Sequence, residues 1–209
     1  MRTLRTSRLP IALGAAFLAL SLPAAAASQV TLGARLGWNF SELSDVDDAE
    51  VNRESATAAG VYLNMGGAVS FQPELLISKR SVGLVNVVDG PASETPFRQD
   101  FVEVPLLVMF RPEGLPVQPS FYGGASVSFE TDCETEFDDV PDCEGFLGAE
   151  TDSQLWAGIV GAGLHVNLGP VVLGLDARYN HGLTEIAPVV DAKWTYWTVG
   201  IEAGIGLGR

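Results

Sequence analysis

Lysine is nearly missing from this chain: Lys79 and Lys193 are the only two in 209 residues. An ordinary soluble surface carries many more. Basic residues are scarce altogether, 12 Lys and Arg against 26 Asp and Glu. Nucleic-acid phosphates need a basic surface, so nucleic acid is excluded as a partner. Histidine is limited to His165 and His181, and cysteine to Cys133 and Cys143. Two sulfurs without a nearby histidine make a poor zinc site. Beyond the first 27 residues no apolar run approaches the roughly 20 residues that a membrane-spanning helix requires. The rest of the chain is rich in glycine and interrupted every few residues by polar groups.

What is present begins with an export signal. Arg2, Arg5 and Arg8 make a basic start, residues 11–22 form a short Ala- and Leu-rich run, and Pro23 leads into Ala25, Ala26, Ala27 and Ser28. This order of basic, apolar and small residues is that of a signal peptide, and the apolar run is too short for an anchor. Residues 1–27 are therefore expected to be removed, leaving one domain over 28–209. Losing three arginines leaves nine basic residues against 26 acidic ones, a formal charge of −17. Export also changes the reading of the cysteines. A disulfide between Cys133 and Cys143 would close a small acidic loop in an oxidising compartment.

The mature region alternates apolar with small or polar residues, the period-two signal of strands. Eight such runs are predicted: 29–40, 57–65, 68–80, 97–110, 117–130, 154–167, 171–182 and 194–208. Crossing a membrane takes about 9–11 residues of a tilted strand, and these runs have that length. One segment is a weak signal, whereas eight in succession with no helical stretch between them is a strong one.

Alternation by itself leaves open which face meets solvent, since a soluble lipocalin-like ligand-binding barrel alternates with its apolar face inward. Three features favour the inverse. The polar face is dominated by Gly and Ser, which suit a narrow interior. Its charges have opposite signs and can pair across a lumen: Arg35 and Arg178 with Glu74, Glu103, Asp176 and Glu202. Away from the ends of the runs the apolar face carries no charge, as expected where a charge costs about 2–4 kcal/mol at the bilayer midplane. The connections also alternate strictly between long (41–56, 81–96, 131–153, 183–193) and short (66–67, 111–116, 168–169). Outer-membrane barrels show this parity, and a soluble barrel has no reason to. Trp38, Phe40, Phe129, Trp156, Tyr179 and Trp197 fall near one end of the strands, and Phe71, Phe110 and Phe121 near the other, as two interfacial girdles require. The predicted fold is all-β: an eight-stranded antiparallel up-and-down transmembrane β-barrel in the bacterial outer membrane, with short periplasmic turns and long external loops.

The strands also carry a family likeness. Gly33-Ala34-Arg35-Leu36-Gly37-Trp38-Asn39-Phe40-Ser41 resembles the first strand of the PorT-like outer-membrane β-barrel proteins. So do Gln72-Pro73-Glu74-Leu75-Leu76, Val102-Glu103-Val104-Pro105-Leu106-Leu107 and Asp176-Ala177-Arg178-Tyr179-Asn180-His181-Gly182-Leu183, and the likeness extends over nearly the whole mature chain. It implies an eight-stranded outer-membrane barrel. The founding member takes part in secreting proteins across the outer membrane, so the resemblance implies at most an accessory role with secretion or other cell-envelope proteins. Barrels of this kind commonly finish on an aromatic residue. This sequence finishes Gly206-Leu207-Gly208-Arg209, a departure bearing on assembly rather than on the strand pattern.

Three groups of residues are candidates for chemistry. Arg35, Glu74, Glu103, Asp176, Arg178 and Glu202 form either a salt-bridge network filling the lumen or a narrow pathway for ions and small solutes. Eight strands enclose little more than side chains, which favours the network. Asp45, Asp47, Asp48, Asp138, Asp139 and Asp142 lie in acidic loops able to attract Ca²⁺, but without the spacing of a calcium-binding hand; solvated charge is the favoured reading. His165 and His181 raise the question of lipid-modifying enzymes that use a Ser–His pair. No nucleophile motif accompanies either, and the chain is read as a non-enzyme without cofactors. Pro73 and Pro105 are expected to mark bulges. The sequence thus predicts an integral outer-membrane barrel, in contact with lipid, with a structural or surface-interaction role; the alternatives are a narrow channel and a soluble periplasmic barrel.

Overall fold

The computed structural model describes residues 29–44, 51–86, 93–135, 154–186 and 193–207. Residues 1–27, the expected signal segment, lie outside these residues. The strands are β1 (Gln29–Ser44), β2 (Val51–Gly66), β3 (Val69–Asn86), β4 (Ser93–Phe110), β5 (Val117–Thr135), β6 (Gln154–Leu168), β7 (Val171–Gly182) and β8 (Lys193–Gly206). Each pairs antiparallel with its neighbours in chain order, and β1 pairs with β8 to close the barrel. Closure leaves no strand edge unpaired, the condition for placing a sheet in hydrocarbon.

The strands form because each presents two chemically distinct faces to two different media. On the outer face Leu36, Ile77 and Val160 are 54%, 64% and 60% exposed, whereas Arg35, next to Leu36, is 1% exposed. The apolar side chains therefore point out of the barrel and the polar ones into it. This overturns the soluble alternative, which needs the opposite arrangement. Trp38, Phe40, Phe129, Trp156 and Trp197 are exposed around the outer girdle, with Tyr179 packed against Trp197 at 5.1 Å between ring centroids. Phe71, Phe110 and Phe121 are exposed at the opposite end. Along β5, the eight residue steps from Phe121 to Phe129 span about 27 Å. A tilt of about 40° reduces this to roughly 21 Å of height, close to the ~25 Å apolar band of such barrels.

The short connections are 67–68, 111–116 and 169–170, and each turn carries a left-handed glycine: Gly66 at φ 140°, Gly114 at 84° and Gly169 at 69°. A side chain at any of these would strain the turn. At the outer end the strands run further than the alternation indicated. β2 begins at Val51 rather than 57, β3 continues to Asn86 and β5 to Thr135. Above the membrane the outer face meets water instead of lipid, so the apolar alternation is no longer required while the hydrogen-bond ladder continues.

The prolines do not mark bulges. Pro73 pairs with Leu106 and Pro105 with Ser126 without a change of register on either side. The irregularities lie instead at the outer ends, between Arg53 and Ala58 of β2 and between Asp100 and Phe101 of β4.

Candidate functional site: the barrel interior

The interior is built from inward positions of all eight strands and is organised in layers. In the middle, Arg178 on β7 grips Glu74 on β3 with both guanidinium nitrogens, Nη1 to Oε2 at 2.9 Å and Nη2 to Oε1 at 3.1 Å. Two parallel bonds of this kind fix orientation as well as charge. Arg35 on β1 donates from Nη1 to Glu202 at 2.6 Å and lies 2.7 Å from Asp176 Oδ1. Asp176 also accepts a bond from the Tyr122 hydroxyl, and its Oδ2 lies 3.6 Å from Arg178 Nε. The two arginines are thus joined through Asp176. Towards the periplasm, His165 Nε2 lies 3.4 Å from Glu202 Oε2. Gln72 donates to Glu74 at 2.8 Å, and Asn64 donates to both Gln72 and Ser70 at 2.9 Å.

Glycines on the inward face make room for these large groups. A Cβ at Gly200 would stand 2.5 Å from Arg35 Nη2. Gly33 and Gly204 flank the ring of Tyr62, whose hydroxyl would be 2.5 Å from a Cβ at Gly204. Alternating large and absent side chains fits these groups into the narrow interior that eight strands enclose.

Of the six charges singled out in the sequence, Arg35, Glu74, Asp176, Arg178 and Glu202 meet in this one network. Glu103 belongs to a second layer nearer the outside. There it accepts bonds from the Tyr196 hydroxyl at 3.0 and 3.1 Å and from Arg80 Nη2 at 3.3 Å. Arg80 also donates to Ser128 at 2.9 Å and stacks over Phe101 and Tyr196, 4.2 and 4.5 Å from their ring centroids. Above it, Trp194 Nε1 donates to Gln99 at 2.6 Å, and Gln99 donates to Glu130 at 2.7 Å. Sequence reasoning missed Arg80, although it shares the parity of Glu74 and Ser78 on β3. An apolar cluster of Leu107, Met109, Tyr122 and Ile159 completes the filling.

The remaining candidates fall elsewhere. His181 is exposed and stacks with Tyr179 at 6.3 Å between ring centroids. Cys133 stands in β5, and Cys143 lies outside the described residues. So do Asp45, Asp47, Asp48, Asp138, Asp139 and Asp142. Among the described residues, no cluster of three or more His, Cys, Asp or Glu could hold a metal ion. At the periplasmic mouth Arg111 is held below its ordinary pKa by burial, with Tyr62, Glu202 and Glu113 acting in the opposite direction.

A closed eight-stranded barrel with an apolar exterior and an ion-paired interior has one natural setting. The family model of the outer membrane protein beta-barrel domain matches residues 23–187. The chain belongs to that family. As a family member it resides in the bacterial outer membrane, with its apolar band in the lipid bilayer. Its fold is similar to that of the outer membrane protein OprG from Pseudomonas aeruginosa, with a TM-score of 0.53 and 12% identity over 87% of this chain and 94% of that one. It is likewise similar to Neisserial surface protein A, with a TM-score of 0.54 and 11% identity over 84% of this chain and 96% of that one. At these identities the likeness is one of fold. No curated protein matches this family member in sequence.

Proposed function

We propose that the protein is a closed surface barrel whose role is structural or interaction-based, carried by its external connections rather than by its lumen. The observation that supports this most directly is the filled interior: an arginine–carboxylate network in the middle and the Arg80–Glu103–Tyr196 layer above it. A solute crossing the barrel would have to separate ion pairs that are 6% exposed or less. The connections around residues 45–50 and 136–153 are rich in Asp and Glu, so the surface offered to a partner is acidic. An accessory role in protein secretion, implied by the PorT-like strand motifs, is one form of this reading.

The reading includes two features of processing. The first is cleavage after Ala27 on export, which N-terminal sequencing of membrane-extracted protein checks directly. The second is pairing of Cys133 with Cys143. No free cysteine occurs among the described residues, in keeping with that pairing. The central claim is tested by planar-bilayer recording of purified, folded protein. Quiet membranes are expected, and stable unit currents would overturn it.

One observation favours the second reading, a narrow channel. Arg35 Nε and Nη2 and Arg178 Nε make no hydrogen bond among the described residues. Spare donors let the network exchange partners, which a conducting state would require. The same recording decides between the two.

A further inference from the structure

Near the outer girdle the barrel wall is interrupted. β2 and β3 are paired from Val51 to Arg53 and again from Ala58, opposite Ser78, but not over the stretch between. Thr57 is opposite Trp38 on β1, and Ser55 is opposite Phe40. The interruption therefore lies level with and just above the outer aromatic girdle, at the height of lipid headgroups. A cavity of about 440 Å³ opens there, lined by Lys79, Arg80, Arg98, Glu54, Asp100 and Asp132 among others. A single water needs only roughly 10–15 Å³ on this kind of measure, so a much larger group fits.

Two observations point to the charge of that group. Lys79, Arg80 and Arg98 are three of the nine basic residues after the signal segment, gathered at one opening of a strongly acidic protein. Arg80, 2% exposed, lines the cavity and has an Nε with no hydrogen-bond partner among the described residues. Its Nη2 is held by Glu103, Ser128 and Tyr196, which anchors the guanidinium at the floor of the cavity. The rim carboxylates are engaged locally. Asp100 takes Lys79 at 2.5 Å, Glu54 takes the Ser81 hydroxyl, and Asp132 takes the Cys133 N–H at 3.0 Å. A buried, orphaned arginine donor calls for an acceptor oxygen, preferably an anionic one.

We propose that this opening binds a phosphate group, with the Arg80 guanidinium as the buried cation and Lys79 and Arg98 as rim cations. The phosphate belongs either to a phosphorylated lipid headgroup of the outer leaflet, reached sideways from the membrane, or to a soluble phosphate monoester reached from outside the cell.

The test uses the full-length barrel extracted in a phosphate-free maltoside detergent. Native mass spectrometry reads any retained phospholipid or phosphoglycolipid. NMR titration with inorganic phosphate and with glycerol 3-phosphate reads the amides of residues 79–81. The variants are R80Q and the exposed double variant K79S/R98S. Retained phosphorylated lipid whose occupancy falls about tenfold or more in either variant supports the lipid source. No retained lipid, but saturable shifts at residues 79–81 that weaken about tenfold in either variant, supports the soluble source. No phosphate binding by either readout, or binding that both variants leave unchanged, overturns the proposal. Should R80Q fail to fold, K79S/R98S alters only exposed or half-exposed side chains and still decides the matter.

Discussion

Arg178 places both ends of its guanidinium on Glu74 in a site closed to water. Removing one partner of such a pair leaves an uncompensated buried charge, at a cost of about 3–5 kcal/mol. R178A should therefore lower the unfolding free energy obtained from urea titration by that amount, without opening a conducting path. The double variant R178M/E74L, which removes both charges, should recover most of the loss. Recovery failing in the double variant would show that the pair is more than a space-filling ion bridge. The glycine that receives Tyr62 makes a second prediction. G33A drives a methyl into the Tyr62 ring and should destabilise by about 1–3 kcal/mol as an overpacking change. Shortening the ring in G33A/Y62V should relieve part of that cost, read as a positive coupling in a double-mutant cycle. At this scale the sequence was informative about direction but not about partners. Period-two parity placed Arg35, Glu74, Glu103, Asp176, Arg178 and Glu202 on one face. Which arginine meets which carboxylate depends on the stagger between strands far apart in sequence. This is why Glu103 was grouped with the others rather than with Arg80.

Each strand is an element with a dry face and a filled face, and its tolerance should vary with height. I201R, in the middle of the lipid face of β8, should cost about 2–4 kcal/mol in vesicle-reconstituted unfolding, whereas L168R beside a periplasmic turn should cost about 0–1 kcal/mol. Equal penalties at both heights would contradict the assigned membrane position. The strands themselves were legible because alternation is imposed by lipid on one side and a packed lumen on the other. Their outer ends were not, because residues 51–56 and 81–86 extend past the membrane, where lipid no longer demands apolar residues on the outer face. The wall interruption between β2 and β3 was invisible for the same reason: no residue pattern announces a missing cross-strand bond. The prolines misled in the other direction. A missing N–H suggested bulges, yet Pro73 and Pro105 sit within regular register.

As a whole molecule, the closed ladder predicts behaviour that its parts do not. Unboiled protein should migrate differently from boiled protein in SDS gels and should remain with membranes after a carbonate wash. Release by the wash, with stability in the absence of detergent, would contradict the outward-facing apolar surface. The cylinder is also uneven: β3, β4 and β5 have 18, 18 and 19 residues, and β7 has 12. The described strands thus rise further on one side, the side that carries the interrupted wall.

Arg35 and Glu202 are direct register partners across the β1–β8 junction, and their side chains meet at 2.6 Å. The first strand of the barrel therefore carries a cation whose carboxylate partners, Asp176 on β7 and Glu202 on β8, come only with the last two. A nascent chain that stops short of β7 would leave that guanidinium without either carboxylate. The bond that seals the cylinder thus joins its first strand to its last, and it can form only when every strand between them is present.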